Sequence, residues 1–154
     1  MMQLATVAIV GAIAGVVAWS LQRRRSPEPE RGPSWTVPQL VSRADFDRPE
    51  APWLVVLFSS STCLACRGTA AKAQLLASDE VAYQEVDHVE HQDLHDRYGI
   101  DAVPLLLLVD PRGSVRRSFV GEPTATDLWA ALAELREPGS VPPGCGRSDG
   151  CDHD

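Results

Sequence analysis

A pair of cysteines separated by two residues, Cys63 and Cys66, constrains this chain more than any other feature of its sequence. The pair follows the apolar run 53–58, which predicts a buried strand, and precedes the alanine- and leucine-rich segment 68–77, which predicts a helix. Two cysteines with this spacing at a strand-to-helix turn are typical of a thiol–disulfide redox site. The free N–H groups and the positive dipole at the start of the helix favour a thiolate at the first cysteine.

The pattern of apolar residues around this motif predicts one α/β domain in which strands and helices alternate. The segment 81–87 alternates apolar and polar residues like a half-buried strand, whereas 105–109 is apolar on both faces like a central strand. Ser42, with Asp45 at the capping-box position, and Thr62 are the predicted N-caps of the first two helical segments. The predicted elements are, in order, an edge strand at 35–37, helical turns at 42–46, a strand at 53–58, a helix from 63 to about 78, a strand at 81–87, a helix at 91–98, strands at 105–109 and 115–120, and a helix at 125–136.

The amino end of the chain has the length and composition of a membrane anchor. Residues 1–22 contain no charged side chain, and residues 4–21 are almost wholly apolar. As a helix, 21 residues span ~32 Å, close to the thickness of about 30 Å of a bilayer's hydrocarbon core. No basic side chain precedes the run, and Ala18-Trp19-Ser20 is a poor cleavage site, which favours a retained anchor over a cleaved signal peptide.

Three arginines, Arg23–Arg25, follow the apolar run directly and predict its orientation. Because positive charge stays inside, we expect a single-pass protein of the cell membrane with its folded domain on the cytoplasmic side. An extracytoplasmic domain is the alternative. The predicted domain organisation is an anchor at 1–22, a proline-rich linker at 23–33, a folded domain at 34–137 and a flexible tail at 138–154.

Charge and cysteine usage exclude some classes of partner. The net charge is −7, and the segment 1–31 holds four of the arginines against two glutamates, so the remainder is strongly acidic, which argues against nucleic acid. The tail pair Cys145 and Cys151 has three open interpretations: incidental cysteines, an electron relay to the first pair, or a weak metal site. A zinc site shared by both pairs is disfavoured, because the glycine- and proline-rich segment 138–150 suggests a mobile tail, so no metal and no other cofactor is predicted.

Three histidines, His88, His91 and His95, fall at helical spacing and could in principle share a metal. Acidic neighbours surround them. A solvated polar face is therefore the favoured interpretation.

A second motif follows the first well downstream and supplies a resemblance. Gly99 to Pro104, with the ending Val103-Pro104, leads into the apolar run 105–109, and Gly121 precedes the last helix. Together with the cysteine motif, these segments make residues 34–137 resemble the thioredoxin superfamily. The resemblance implies a thioredoxin-like α/β fold, with a central mixed sheet flanked by helices.

The resemblance also implies roles for individual residues. Cys63 matches the attacking cysteine and Cys66 the resolving cysteine of a thiol–disulfide oxidoreductase that works through a mixed disulfide. Pro104 matches the family's cis-proline beside the pair, and the Val103 backbone is expected to pair with an extended substrate strand. Thr62, directly before the pair, joins them as a substrate-contacting residue. The implied partners are protein thiol or disulfide substrates and an upstream reductase or oxidase.

The sequence departs from the best-known thioredoxins at several positions. Leu57 stands where they keep a buried acid that assists the second cysteine, and Tyr83 stands where that acid's lysine partner usually lies. Leu64-Ala65 replaces Gly-Pro between the cysteines, and Thr62 replaces a Trp. Without the acid, water or substrate must take the proton from Cys66, and the direction of electron flow is open, with reduction the default in the cytoplasm.

Two other functions remain open at this stage. One is a thioredoxin-fold binding module or metal carrier without turnover. The other is an exported, membrane-tethered protein of the cytochrome-maturation type, which the segment 110–115 resembles.

Overall fold

The computed structural model describes residues 35–141 of the chain. The elements are three α-helices, four strands and two short 3₁₀ turns, and their order is the predicted one except that the edge strand expected at 35–37 is absent. The strands are β1 Trp53–Ser59, β2 Val81–Asp87, β3 Leu105–Val109 and β4 Val115–Val120, the helices are α1 Leu64–Ala73, α2 Gln92–Tyr98 and α3 Ala125–Arg136, and the 3₁₀ turns are Arg43–Asp45 and Gln74–Leu76.

The four strands form one mixed sheet in the order β2-β1-β3-β4. β2 runs parallel to β1, whereas β3 lies antiparallel to β1 and β4 antiparallel to β3. The parallel pair requires a crossover, which α1 supplies. The expectation of a mixed sheet flanked by helices is confirmed.

The two central strands are buried on both faces and divide the core into two layers. Leu54, Val56 and Phe58 of β1 pack on the side of α2, while the alternate residues Val55 and Leu57 pack on the side of α1 and α3. All five residues of β3 are buried. The period of two along a strand therefore accounts for both layers.

The amino-terminal part of the described chain differs from the prediction. Residues 35–37 form no strand, because Pro38 has no N–H for a ladder and the only sheet-like contact nearby is an isolated bridge from Leu40 to Ser114. Thr36 is held by a side chain, since its N–H donates to the carboxylate of Asp101 at 3.2 Å.

Two helix termini also differ from expectation. The predicted helix from 63 to 78 ends earlier, because α1 stops at Ala73 and tightens into the 3₁₀ turn Gln74–Leu76. Ser42 precedes the first 3₁₀ turn but makes no capping hydrogen bond, and Asp45 instead accepts hydrogen bonds from Tyr98 and Arg97. Within residues 35–141, a reciprocal capping box forms at α3, between Thr124 and Asp127.

The predicted anchor at 1–22, the linker and the tail cysteines lie outside the described residues. Between residues 35 and 141, no helix combines the length and the apolar character that a membrane span requires.

Candidate functional site: the redox end of the sheet

The cysteine pair lies at the carboxyl end of β1, where the chain turns into α1. The turn is closed by a hydrogen bond from the N–H of Cys63 to the carbonyl of Ser60, at 2.9 Å. Cys63 itself has extended dihedrals and is the N-cap of α1, since its sulfur accepts the N–H of Cys66 at 3.1 Å. The prediction of Thr62 as the N-cap is therefore wrong. The exposed Thr62 hydroxyl lies 3.2 Å from that of Ser60 instead.

Cys63 and Cys66 are joined by a disulfide with a Cα–Cα distance of 5.3 Å. The two sulfurs are not equivalent, because Cys63 is partly exposed whereas Cys66 is buried, with 1% of its surface accessible. An incoming thiolate or disulfide can therefore reach Cys63 and not Cys66. The division into an attacking Cys63 and a resolving Cys66 requires such an asymmetry and stays a prediction.

Val103 and Pro104 lie at the same end of the sheet as the cysteines. The peptide bond between them is cis, as the resemblance implies. β3 begins at the next residue, Leu105, which pairs with Phe58 near the end of β1. Pro104 is buried, and its carbonyl accepts the N–H of Gly121 at 2.9 Å, so the loop before β3 is fixed to the loop before α3.

A charged pair that the sequence analysis did not single out flanks α1. Lys72 donates to Glu122 at 2.5 Å and to the carbonyl of Pro123 at 3.1 Å. Gly68 makes room for this pair, because a Cβ at that position would overlap the Glu122 carboxylate. An acid directly after Gly121 and the single lysine of the chain are the sequence signals that point to it.

Among the described residues, the layer beneath α1 consists of apolar side chains and Tyr83, with no buried acid in it. Leu57 is fully buried there, and Tyr83 from β2 packs in the same cluster. Burial, with a smaller effect of Glu85, raises the pKa of Tyr83 to about 12. Among residues 35–141, the Tyr83 hydroxyl and the buried Ser59 hydroxyl have no hydrogen-bond partner. Sequence reasoning missed Ser59, because a run of three serines does not show which one is buried.

The histidine prediction is wrong for one of its members. His88 is exposed, but His95 is buried, with one ring nitrogen 2.9 Å from the carbonyl of Val86. Its ring meets those of Phe58 and His88 edge-on. Position 95 lies on the side of α2 that packs on the sheet, which places it in the core. In the described part of the chain, no group of three or more potential ligands is arranged to hold a metal ion.

Comparisons with known proteins agree with this architecture. A family model described as Thioredoxin matches residues 40–134, which is more than half of the chain. None of the curated proteins compared with the chain matches it.

Two solved structures illustrate the likeness in fold. A mutant thioredoxin from Halobacterium salinarum is 24% identical with a TM-score of 0.52, and the match covers 61% of this chain and 81% of that one. The germline-specific thioredoxin Deadhead from Drosophila melanogaster is 20% identical with a TM-score of 0.50, over 56% of this chain and 84% of its own. At these identities the likeness concerns the fold alone.

Proposed function

The chain belongs to the thioredoxin family, and we propose that it is a thiol–disulfide oxidoreductase acting on protein substrates through Cys63 and Cys66. The observation that carries this proposal is the disulfide between a partly exposed and a buried cysteine at the start of α1. Helix-start geometry stabilises a thiolate at the N-cap sulfur, and a thiolate is the nucleophile of disulfide exchange.

In the reducing direction, the Cys63 thiolate attacks one sulfur of a substrate disulfide. A bond forms between Cys63 and that sulfur, and the other substrate sulfur leaves as a thiolate that takes up a proton. Cys66 then loses its proton and attacks Cys63, which restores the disulfide seen here and releases the second substrate thiol. The oxidising direction is the same sequence reversed.

We assign substrate contacts to the loop that ends in Val103 and Pro104 and to Thr62 beside the pair. The loop lies at the same end of the sheet as the disulfide and is held there by the hydrogen bond from Gly121. The exposed Leu64 between the cysteines supplies apolar contact area. A protein segment docked along this loop would present its disulfide to Cys63.

The proposal also includes an address and a partner. Residues 4–21 would anchor the protein in the membrane, and Arg23–Arg25 would keep the domain in the cytoplasm, where a reductase recharges the pair and reduction of substrates is the default. Support for this part comes from the sequence alone.

Insulin disulfide reduction by the full-length chain tests the activity. We expect turnover from the wild type and none from Cys63→Ser, while Cys66→Ser accumulates a mixed disulfide with the substrate. The matched control is the double variant Cys145→Ser/Cys151→Ser, which keeps turnover if the tail cysteines are incidental. Wild-type activity no greater than that of Cys63→Ser, or stoichiometric zinc or copper after purification, would favour a binding module or metal carrier.

A reporter fused after Asp154 tests the orientation. A reporter that is active only in the cytoplasm should be active in this fusion. Activity of an extracytoplasmic reporter would place the domain outside and would favour the cytochrome-maturation alternative over cytoplasmic reduction.

A further inference from the structure

We propose that the Ser59 hydroxyl is the hydrogen-bond partner of the Cys66 sulfur once the disulfide opens. In this role, it takes over part of the task of the buried acid that Leu57 replaces. The inference rests on the proposed function, because it concerns the resolving step of that reaction.

The first observation is that Ser59 is a buried polar group without a partner. Ser59 has 1% of its surface accessible, and its hydroxyl forms no hydrogen bond within residues 35–141. Buried hydroxyls normally have a partner, so an exception points to a state of the protein in which the partner is present. By contrast, the buried Thr69 hydroxyl of α1 donates to the carbonyl of Ala65 at 3.0 Å.

The second observation is the register between β1 and α1. Side chains two residues apart share a face of a strand, so Ser59 points to the same side as Leu57 and Val55, which pack in the layer beneath α1. On α1, Ala70 and Ala73 pack in that layer, and Cys66 precedes them by four and seven residues, which places its side chain on the same helix face.

The connection between the two elements sets their levels. Only residues 60–63 separate β1 from α1, so the helix runs back along the strand that precedes it. The first turn of α1, with Cys66, therefore lies over the last residue of β1, which is Ser59. Leu57 precedes Ser59 by two residues on the same strand face and packs in the same layer as Ala70. Leu57, which replaces the family's acid, is apolar. The nearest polar side chain on this strand face is Ser59, two residues closer to the start of α1.

Other polar groups near this face are committed elsewhere or lie further away. Tyr83 pairs with Val55, which lies four residues before Ser59 on β1, and the Glu85 side chain at the edge of β2 is exposed. Asp87, opposite Ser59, accepts the N–H of Val89 at 2.8 Å. The remaining charges are the Lys72–Glu122 pair and the exposed Arg67 of α1, and α3 contributes the apolar Leu128 and Leu132.

A serine hydroxyl both accepts and donates, which suits a sulfur that changes protonation state. In the dithiol, the Cys66 S–H donates to Ser59 Oγ. As Cys66 attacks Cys63, the Cys66–Cys63 bond forms and the bond from Cys63 to the substrate sulfur breaks. The thiol proton passes to solvent or to the departing substrate thiolate, and the Ser59 O–H donates to the negative charge on the Cys66 sulfur. Ser59 itself stays neutral.

Stopped-flow reaction of the reduced full-length chain with Ellman's reagent separates the two steps, with Cys145→Ser/Cys151→Ser present in every sample. Attack by Cys63 releases the first thionitrobenzoate, and attack by Cys66 on the resulting mixed disulfide releases the second. In Ser59→Ala, we expect the second phase to be about threefold slower at pH 7 and its pH midpoint to rise by about half a unit, with the first phase unchanged. Ser61→Ala, in the same turn but exposed, is the matched control and should change neither phase.

A redox titration gives an independent measurement. The Ser59 hydroxyl would stabilise the dithiol and not the disulfide. In Ser59→Ala, the equilibrium between disulfide and dithiol should therefore shift threefold towards the disulfide, which makes the reduction potential more negative by about 14 mV. A changed first phase would show that Ser59→Ala disturbs the fold. In that case Ser59→Thr and Ser59→Val, which are isosteric with each other, replace it. Only the valine variant should then slow the second phase.

The inference is overturned if the second phase has the same rate in the wild type and in Ser59→Ala, or in the threonine and valine variants. It is also overturned if Tyr83→Phe slows the second phase and Ser59→Ala does not. None of these outcomes affects the proposed function. That function fails on a different result, namely a wild type that releases no second thionitrobenzoate and does not reduce insulin.

Discussion

At the carboxyl end of β1 the protein places Cys63, Leu64 and Pro104, whereas at the opposite end of the same sheet it places Arg43, Asp110 and Gly113. We call these the redox end and the closed end. Both ends consist of loops that join the same four strands. They differ in how completely their polar groups are paired, and this difference separates the residues that stabilise the fold from those available for chemistry.

At the closed end, the buried side chains of Arg43 and Asp110 bond to backbone, although Arg43 Nε has no partner among the described residues. The Arg43 guanidinium donates to the carbonyl of Ala51 at 2.8 Å and to that of Asp110 at 3.3 Å, and burial lowers the pKa of Arg43. The Asp110 carboxylate accepts the N–H groups of Arg112 and Ser114 at 2.9 Å each. Such a network fixes the loops that precede β1 and follow β3.

At the redox end, several groups are exposed or unpaired. Leu64 is 74% exposed, the Ser59 hydroxyl has no partner among the described residues, and the Lys72–Glu122 pair is partly open to solvent. A site that must accept a substrate and change its own covalent structure cannot bond all of its groups in one state. Substitutions at the closed end should therefore cost more stability than matched substitutions at the redox end.

The largest difference should come from two glycines with the same backbone conformation. Gly113 at the closed end has φ +84°, and a Cβ there would overlap the Val41 carbonyl oxygen. Gly121 at the redox end has φ +87° with open space around it. We expect Gly113→Ala to lower the free energy of unfolding by about 3–4 kcal/mol and Gly121→Ala by about 1–2 kcal/mol, measured by denaturant unfolding. Equal losses would mean that the contact with Val41 contributes nothing.

The next effect concerns the buried guanidinium. Arg43→Met keeps much of the side-chain volume but leaves the carbonyls of Ala51 and Asp110 without their donor, so we expect a loss of about 2 kcal/mol. Arg112→Met is the control, because that side chain is 84% exposed and its removal should change stability by less than about 0.5 kcal/mol. A tolerated Arg43→Met would show that the closed end does not depend on this network.

Much of this architecture could be predicted from the sequence, because it follows from local patterns. Strand β2, which alternates apolar and polar residues, and the uninterrupted run of β3 were correctly placed, and so were the bounds of α3. The errors arise where tertiary contacts decide. The stop of α1 at Ala73 falls among good helix formers, and the burial of His95 depends on which side of α2 meets the sheet.

The site was predictable in its cysteines and not in their surroundings. Spacing identified Cys63 and Cys66, and the resemblance identified Pro104, whose cis bond the structure contains. Their roles, and those of Val103 and Thr62, stay predictions. The N-cap at Cys63 was missed, because a sulfur acceptor is rare among caps. The position of Ser59 beneath α1 depends on the pairing of a strand and a helix, which no local pattern reveals.

A third prediction concerns acid. Hydrogen bonds from Tyr98 at 2.5 Å and Arg97 at 2.8 Å lower the pKa of Asp45 at the closed end. Because the folded-state pKa is below the ordinary value of 3.8, the stabilisation is complete well above that pH and is lost as the pH falls through the folded-state pKa. Asp45→Asn should cost about 1–2 kcal/mol at pH 7 and flatten the acid limb of the stability profile.

The control for this titration is Asp47→Asn, since Asp47 is exposed two residues further along the chain. Unfolding of both variants is measured by denaturant between pH 2 and pH 7. An acid limb that is as steep in Asp45→Asn as in the wild type would assign the pH dependence to another carboxylate.

The smallest effect, and the one that reverses sign between the two regions, comes from the two tyrosines. The Tyr98 hydroxyl donates to Asp45 and accepts the N–H of Ser42 at 3.0 Å, whereas the buried Tyr83 hydroxyl beneath α1 has no partner among the described residues. Removing a paired hydroxyl costs stability, and removing an unpaired buried one relieves a desolvation penalty. Tyr98→Phe should therefore lower the free energy of unfolding by about 1 kcal/mol, and Tyr83→Phe should raise it by about 0.5 kcal/mol.

Alkaline titration completes this comparison. Because burial raises the pKa of Tyr83 from 10.0 to about 12, this tyrosine ionises more readily in the unfolded chain, and the folded state loses stability as the pH rises from 10 towards 12. Burial and the hydrogen bond to Asp45 also raise the pKa of Tyr98, so phenolate absorbance should show two late-titrating tyrosines in the wild type and only one in Tyr83→Phe. A Tyr83 that titrates like an exposed phenol would mean that its hydroxyl is open to solvent. Destabilisation by Tyr83→Phe would mean that this hydroxyl has a partner, and the layer beneath the cysteine helix would then differ less from the closed end in how its polar groups are paired.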